Sequence, residues 1–336
     1  PCHNEAPSIA AVVHQFQLAL PGSIIVVADN GSTDDTAERA RDAGAQVVFE
    51  PRLGKGYAVR KLFADVEADI YVLIDGDGEC DPGSAPEMVR LISDGSCDMV
   101  VGRRESPQDT KSYRPGHEFG NGSLTWIFQK LFQLNITDTL SGYRVMSRRF
   151  VKSLPMRAAG FEIEVELNAH AAIVGVNVVE VPTTFVGRPY GDSSKLSTFG
   201  DGARILRLNL RLFRDARPTL AFTFIAAPWF LITIWSAFVV ASNYAEAGQL
   251  LSLPNLILGF ISFMVALMLE MAGITMERIT RNRNEAVLLA YLAQLAPCPI
   301  SHGSANRSSE RIHDAHVLLE HATPTDSADP HDSPHA

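Results

Sequence analysis

Ile70-Tyr71-Val72-Leu73-Ile74 runs straight into Asp75-Gly76-Asp77-Gly78-Glu79, and this junction decides the fold. The apolar run is short, bulky and unbroken, the pattern of a strand buried within an α/β sheet. Ligands of open α/β sheets bind beyond the carboxyl ends of the strands, so the three carboxylates are expected at a binding crevice. Hard oxygen ligands two residues apart suit a Mg²⁺ or Mn²⁺ ion on a diphosphate. The competing reading is an acidic turn that uses glycine for positive φ.

Outward from that junction the chain alternates strands and helices. Residues 24–28, 46–49, 99–101 and 178–186 read as further strands. Residues 33–43, 56–67, 82–93, 117–132 and 161–174 read as helices. Such alternation implies a Rossmann-like, mostly parallel sheet with helices on both faces. Asp29-Asn30-Gly31-Ser32-Thr33-Asp34-Asp35-Thr36 follows the first of these strands. There Asp29 can accept hydrogen bonds from a base or ribose, and Ser32 or Thr33 is expected to cap the next helix. Lys55, between Gly54 and Gly56 just ahead of a helix, is placed to reach a phosphate.

The apolar residues are unevenly spread. Residues 219–242 contain no charge, and 254–276 contain only Glu270. At about 1.5 Å per helical residue, each stretch can cross a hydrocarbon core of roughly 30 Å. A pair of buried helices in a soluble core is the alternative, but soluble helices rarely run so long without a charged face. Arg204, Arg207, Arg211, Arg214 and Arg217 precede the first stretch, and Arg278, Arg281 and Arg283 follow the second. The connection between them carries no Lys or Arg, so the positive-inside bias puts both ends of the hairpin in the cytoplasm. Residues 201–217 read either as an amphipathic helix on an anionic membrane surface or as a solvated helix face.

The net charge of −9 is a poor guide to partners, because the segment after Pro297 carries six acids against two Arg. That segment reads as a disordered tail, and its six His show no regular ligand spacing. No basic aromatic stripe points to nucleic acid. The sparse cysteines form no paired motif, and a cytoplasmic domain keeps them reduced. The chain opens at Pro1-Cys2-His3-Asn4-Glu5, within a motif, so a preceding strand is expected to be missing.

Taken in order, Pro-x-x-Asn-Glu, Asp-Asn-Gly-Ser-Thr-Asp, Gly-Lys-Gly and Asp-Gly-Asp at a strand end resemble the family 2 glycosyltransferases of GT-A fold. Asp138-Thr139-Leu140-Ser141-Gly142-Tyr143-Arg144, Gly160-Phe161-Glu162-Ile163-Glu164 and Gly191-Asp192-Ser193-Ser194-Lys195-Leu196 resemble its polyprenyl-phosphate branch, which includes dolichyl-phosphate mannosyltransferase and the bactoprenol glucosyltransferases. The resemblance implies an inverting hexosyltransferase that moves a sugar from a UDP- or GDP-sugar to a polyprenyl phosphate at the cytoplasmic membrane face. It implies donor contacts from Pro1, Glu5, Asp29, Asn30, Lys55, Asp75 and Gly76, and a divalent metal on Asp77 and Glu79. It makes Asp77, Asp138 and Arg103 catalytic candidates, and it leaves open whether Asp138 instead orients Arg144. Arg103, Arg114, Arg188 and Lys195 are the candidates for the acceptor phosphate, since Arg grips phosphate bidentately and Lys acts as a point charge. Family members often carry Gln at the place of Glu79 and Ala at that of Gly76.

The expected organisation is a catalytic domain over 1–200, a juxtamembrane helix over 201–217, a hairpin over 218–278, a cytoplasmic helix over 279–296 and a tail over 297–336. Related hairpin enzymes allow a homo-oligomer. The alternatives are a processive polysaccharide synthase, whose Gln-x-x-Arg-Trp motif is not found here, and a non-catalytic, membrane-anchored nucleotide-sugar binding protein.

Overall fold

The computed structural model describes residues 1–105, 136–160, 162–184, 213–248 and 253–295. The expected helix over 117–132, most of the 201–217 segment and the 297–336 tail lie outside the described residues.

The α/β body begins with α1 (Ile9–Ala19), β1 (Val26–Asp29), α2 (Thr36–Asp42), β2 (Gln46–Phe49), α3 (Lys55–Asp65) and β3 (Ile70–Leu73). A 3₁₀ turn at Pro82–Ser84 leads into α4 (Ala85–Ser93) and then β4 (Met99–Glu105). β5 (Arg144–Ser147), α5 (Arg148–Lys152), α6 (Ile163–Val174) and β6 (Val178–Thr184) complete it. α4 shows how sequence dictates these elements. Pro82 pre-sets the entry, the Asp81 side chain accepts from the Gly83 amide, and Ala85, Met88 and Ile92 form one fully buried face.

β1 and β2 pair in parallel, and Cys2 bridges to Asp29 beside them, with its amide donating to the Ala28 carbonyl at 2.8 Å. The larger sheet has the order β3-β5-β4-β6. The α/β class is as expected, but the sheet is mixed. β5, which sequence reasoning did not anticipate, is inserted antiparallel to both β3 and β4, while β4 and β6 run parallel. All of its residues are buried, and it opens on a charged Arg144, so no alternation marks it as a strand.

The Gly-Lys-Gly motif has a packing reason. A methyl group on Gly56 would lie 2.3 Å from the Ala158 carbonyl oxygen, and one on Gly54 2.2 Å from that of Ala159. Gly54 also has φ +138°, which favours glycine. Since the obstructing atoms are backbone, Gly56→Ala is expected to destabilise the protein by about 3 kcal/mol. Thermal unfolding in detergent should show the melting temperature several degrees lower, and an unchanged value would contradict the close approach.

Two long helices follow: α7 (Pro218–Ala247) and α8 (Leu253–Leu292), of 30 and 40 residues. By length and composition, both are able to cross a membrane. Leu231, Phe238, Phe260 and Met268 are each more than 60% exposed, so these helices do not form a soluble core. They pack along each other where Gly259 meets Ser236 and Gly273 meets Phe222. Glu270, the one acid in the second apolar stretch, accepts a hydrogen bond from Thr223 across the pair at 3.2 Å.

The helix expected over 279–296 is the continuation of α8, which runs unbroken to Leu292. Its far end docks on the α/β body. Val287 and Tyr291 are buried, and the Tyr291 hydroxyl donates to Asp98 at 2.9 Å. The Arg149 guanidinium lies over the Tyr291 ring at 4.9 Å and donates two 2.6 Å hydrogen bonds to Asp98.

Candidate active site

A cleft opens at one edge of the larger sheet, lined by Asp75, Asp77, Glu79, Cys80, Arg104, Tyr143 and neighbouring residues. The topology explains how they meet. β3, β4 and β6 deliver residues at their carboxyl ends, and β5, running the other way, brings the loop before it to the same edge. Leu140, Ser141 and Gly142 come from that loop, and Thr183 and Thr184 from the end of β6.

Asp75 is gripped by Lys55 at 2.7 Å, and the same ammonium reaches Glu164 at 2.5 Å. Burial alone would raise the Asp75 pKa, but the Lys55 charge outweighs it and holds the carboxyl below its usual value. Burial of Lys55 opposes its charge, yet the two carboxylates more than offset this and raise its pKa. Gly142 sits against this pair: a methyl there would lie 2.5 Å from Asp75 Oδ2 and 2.9 Å from Lys55 Nζ. At Gly76, a methyl would lie 2.3 Å from Cys2 Sγ. Gly76 and Cys2 therefore form a packed pair, and an alanine at 76 requires the Cys2 side chain to shift.

Asp77 and Glu79 share the cleft, and the Glu79 amide donates to Asp77 Oδ1 at 3.2 Å. Among the described residues, no cluster of three or more His, Cys, Asp or Glu could by itself cage a metal. Two carboxylates nevertheless fit Mg²⁺, which takes one or two protein carboxylates and completes its shell with water and substrate phosphate.

Among the described residues, the arginine on the cleft wall is Arg104, and the expected Arg103 is not in the lining. Arg103 pairs with Glu105 at 2.5 Å. Arg104 donates two hydrogen bonds of 2.8 Å to Asp138, so Asp138 orients this arginine rather than Arg144. Sequence reasoning also missed Glu180, which fixes the segment by accepting from the amides of Thr137 at 2.7 Å and Asp138 at 3.0 Å. Arg144 is fully buried and donates to Asn168 at 2.5 Å and to the Ser141 and Thr139 carbonyls. Burial pulls its pKa down to about 10, so it stays charged at neutral pH while bracing the loop.

The residues expected around the nucleoside lie at the end of β1, outside the cleft lining. There the first two motifs are stitched together. Asn4, with φ 57°, donates from its amide to Ser32 Oγ and accepts from the Thr33 amide. Pro1 precedes this turn, and the Glu5 amide donates to Thr36 Oγ1 at 2.8 Å. Neither Ser32 nor Thr33 caps α2, which starts later, at Thr36. Asp29 is buried and accepts from the Ser32 amide at 3.1 Å. Asn30 is committed to backbone, donating to the Glu50 and Arg52 carbonyls and accepting from the Gly54 amide. Arg114, Arg188 and Lys195 lie outside the described residues.

Comparison with known proteins gives a consistent picture. The family described as glycosyl transferase family 2 matches residues 1–154. Glycosyltransferase AglJ of Haloferax volcanii is 34% identical over 218 residues, which cover 65% of this chain and 70% of AglJ. An undecaprenyl-phosphate mannosyltransferase of Micrococcus luteus is 26% identical, over 57% of this chain and 84% of its own length. Glucosyl-3-phosphoglycerate synthase of Mycobacterium tuberculosis, solved with Mg²⁺ and uridine diphosphate, superposes with a TM-score of 0.50 at 24% identity. It covers 63% of this chain and 76% of that one. The likeness is one of fold, and the α/β body has the GT-A architecture.

Proposed function

The chain belongs to glycosyl transferase family 2 and is a transferase, and on that premise we propose that it moves one hexose, with inversion, from a nucleotide-sugar to a polyprenyl phosphate. The observation that carries the reading is the cleft, in which Asp75, Asp77 and Glu79 share a site with an arginine held by a buried aspartate.

On this reading Asp77 and Glu79 hold Mg²⁺ or Mn²⁺, which when bound neutralises charge on the departing diphosphate. Asp29 and Glu5 address the nucleoside, with Lys55 and Asp75 beside them. Arg104 takes the role expected of Arg103. Held by Asp138, its guanidinium presents a fixed positive charge to phosphate oxygens. An acceptor phosphate is already an anion, so attack on the sugar C1 needs positive charge to draw it in rather than a strong general base. Arg114, Arg188 and Lys195 remain the further acceptor-phosphate candidates. The M. luteus relative, by its name, acts on undecaprenyl phosphate, which supports a lipid acceptor. So do α7 and α8, whose exposed apolar surface suits a bilayer. The arginines flanking them favour a hairpin in the cell membrane, with the α/β body and both ends cytoplasmic.

The test is incubation of membranes carrying the full chain with undecaprenyl or dolichyl phosphate, Mg²⁺ and a panel of labelled UDP- and GDP-sugars. Labelled lipid from at least one donor is the expected result. Transfer to water or a soluble acceptor, with no labelled lipid from any donor, would overturn the lipid reading.

A further inference from the structure

We propose that Glu164 is a positioning residue for donor binding, acting through Lys55 to fix Asp75 and the Gly142 loop at the cleft; this rests on the nucleotide-sugar reading above. Four segments converge on one ammonium group. Lys55 starts α3, Asp75 ends the β3 turn, Gly142 belongs to the loop before β5, and Glu164 lies in the first turn of α6. Lys55 Nζ donates to Asp75 Oδ1 at 2.7 Å and to Glu164 Oε1 at 2.5 Å. Asp75 lines the cleft and its side chain is 34% exposed, whereas Glu164 is buried behind it. Glu164 therefore holds the far side of the ammonium while Asp75 meets the ligand on the near side.

The second carboxyl oxygen of Glu164 is buried and has no hydrogen-bond partner among the described residues. An ionised carboxylate so placed is costly, and a neutral carboxylic acid is far less so. Burial raises the Glu164 pKa, with Lys55 opposing and Asp75 adding to the rise. Toward Lys55, Glu164 offers the shape of its side chain and one accepting oxygen, which glutamine reproduces and alanine does not.

The consequence for the donor is geometric. Without Glu164, Lys55 loses its carboxylate partner on the buried side, and Asp75 and the loop seated on it by Gly142 lose that support. Misplacement of this kind weakens binding of the group that Asp75 and the loop address.

The experiment measures binding of UDP and GDP with Mg²⁺ to the full chain in detergent, together with donor KM, kcat and melting temperature. Glu164→Ala is expected to weaken nucleotide binding and raise donor KM by about 10-fold or more, with kcat changed by less than about 3-fold. Glu164→Gln is expected to restore both values to within about 3-fold of the wild type. Unchanged KM in Glu164→Ala would overturn the proposal, and so would a loss of kcat and melting temperature without a KM change. A Gln variant as impaired as Ala would overturn positioning through the accepted hydrogen bond. Wild-type protein that binds neither nucleotide would count against the donor reading instead.

Discussion

Asp77→Asn is expected to reduce sugar transfer by about 1,000-fold or more, the largest effect of any single change in the cleft. Asparagine keeps the shape of Asp77 and an oxygen for the Glu79 amide, so the turn that follows β3 should survive. It removes one of the two cleft carboxylates that are proposed above to share a divalent cation. Metal stabilisation of a departing diphosphate is worth several kcal/mol, and each 1.4 kcal/mol is about a factor of ten in rate. The melting temperature without ligand should stay near that of the wild type, which separates this loss from unfolding. Addition of UDP or GDP with Mg²⁺ should raise it less in the variant than in the wild type. Wild-type rates in Asp77→Asn would remove the metal assignment.

Asp98→Ala is expected to cost about 3 kcal/mol of stability, well away from the cleft. Four donors converge on this buried carboxylate: two from Arg149, one from Ser147 Oγ at 2.6 Å and one from the Tyr291 hydroxyl at 2.9 Å. Removing one partner of such a pair strands the other charge, which is why the cost exceeds that of an ordinary hydrogen bond. Burial would raise the Asp98 pKa, but hydrogen bonds from Arg149, Ser147 and Tyr291 outweigh it and hold the pKa low. A depressed carboxyl pKa stabilises the fold above the unfolded value of about 3.9 and loses that effect as pH falls below it. Wild type and variant should therefore differ most near neutral pH and converge in acid. Thermal unfolding followed by tryptophan fluorescence in detergent measures both. Equal melting temperatures at pH 7 would show that the cluster contributes nothing.

How much of this was legible in the sequence depends on the range of the interactions involved. The β3 junction, α4 and the pairing of β1 with β2 follow from local patterns of apolar residues and turn formers. β5 does not, because its four buried residues begin with an arginine whose partners Asn168 and Thr139 are supplied by the tertiary fold. The exchange of Arg103 for Arg104 has a simpler origin. Ending the strand at Val101 left no register, whereas β4 in fact runs on to Glu105, so adjacent side chains alternate in direction. Asn30 reads from sequence as a ligand residue, yet its side chain bonds the backbone of Glu50, Arg52 and Gly54 across the β2–α3 connection. Glu180 is 42 positions from the aspartate it steadies, a pairing that only the parallel register of β4 and β6 reveals.

The unbroken course of α8 turns reach into residue counting. Forty helical residues span about 60 Å, roughly twice the thickness of a hydrocarbon core. With the apolar half in a bilayer, the remainder is a strut of fixed length, and Tyr291 near its tip is bolted to the body that carries the cleft. On the proposed membrane placement, a flexible tether would let that body wander over the surface, whereas a strut would hold the cleft at one height and one bearing. Each residue added between Glu277 and Val287 would lift Tyr291 by about 1.5 Å and swing it by about 100°. Only near-whole-turn changes in length keep it facing Asp98, so the spacing of this stretch is under geometric constraint.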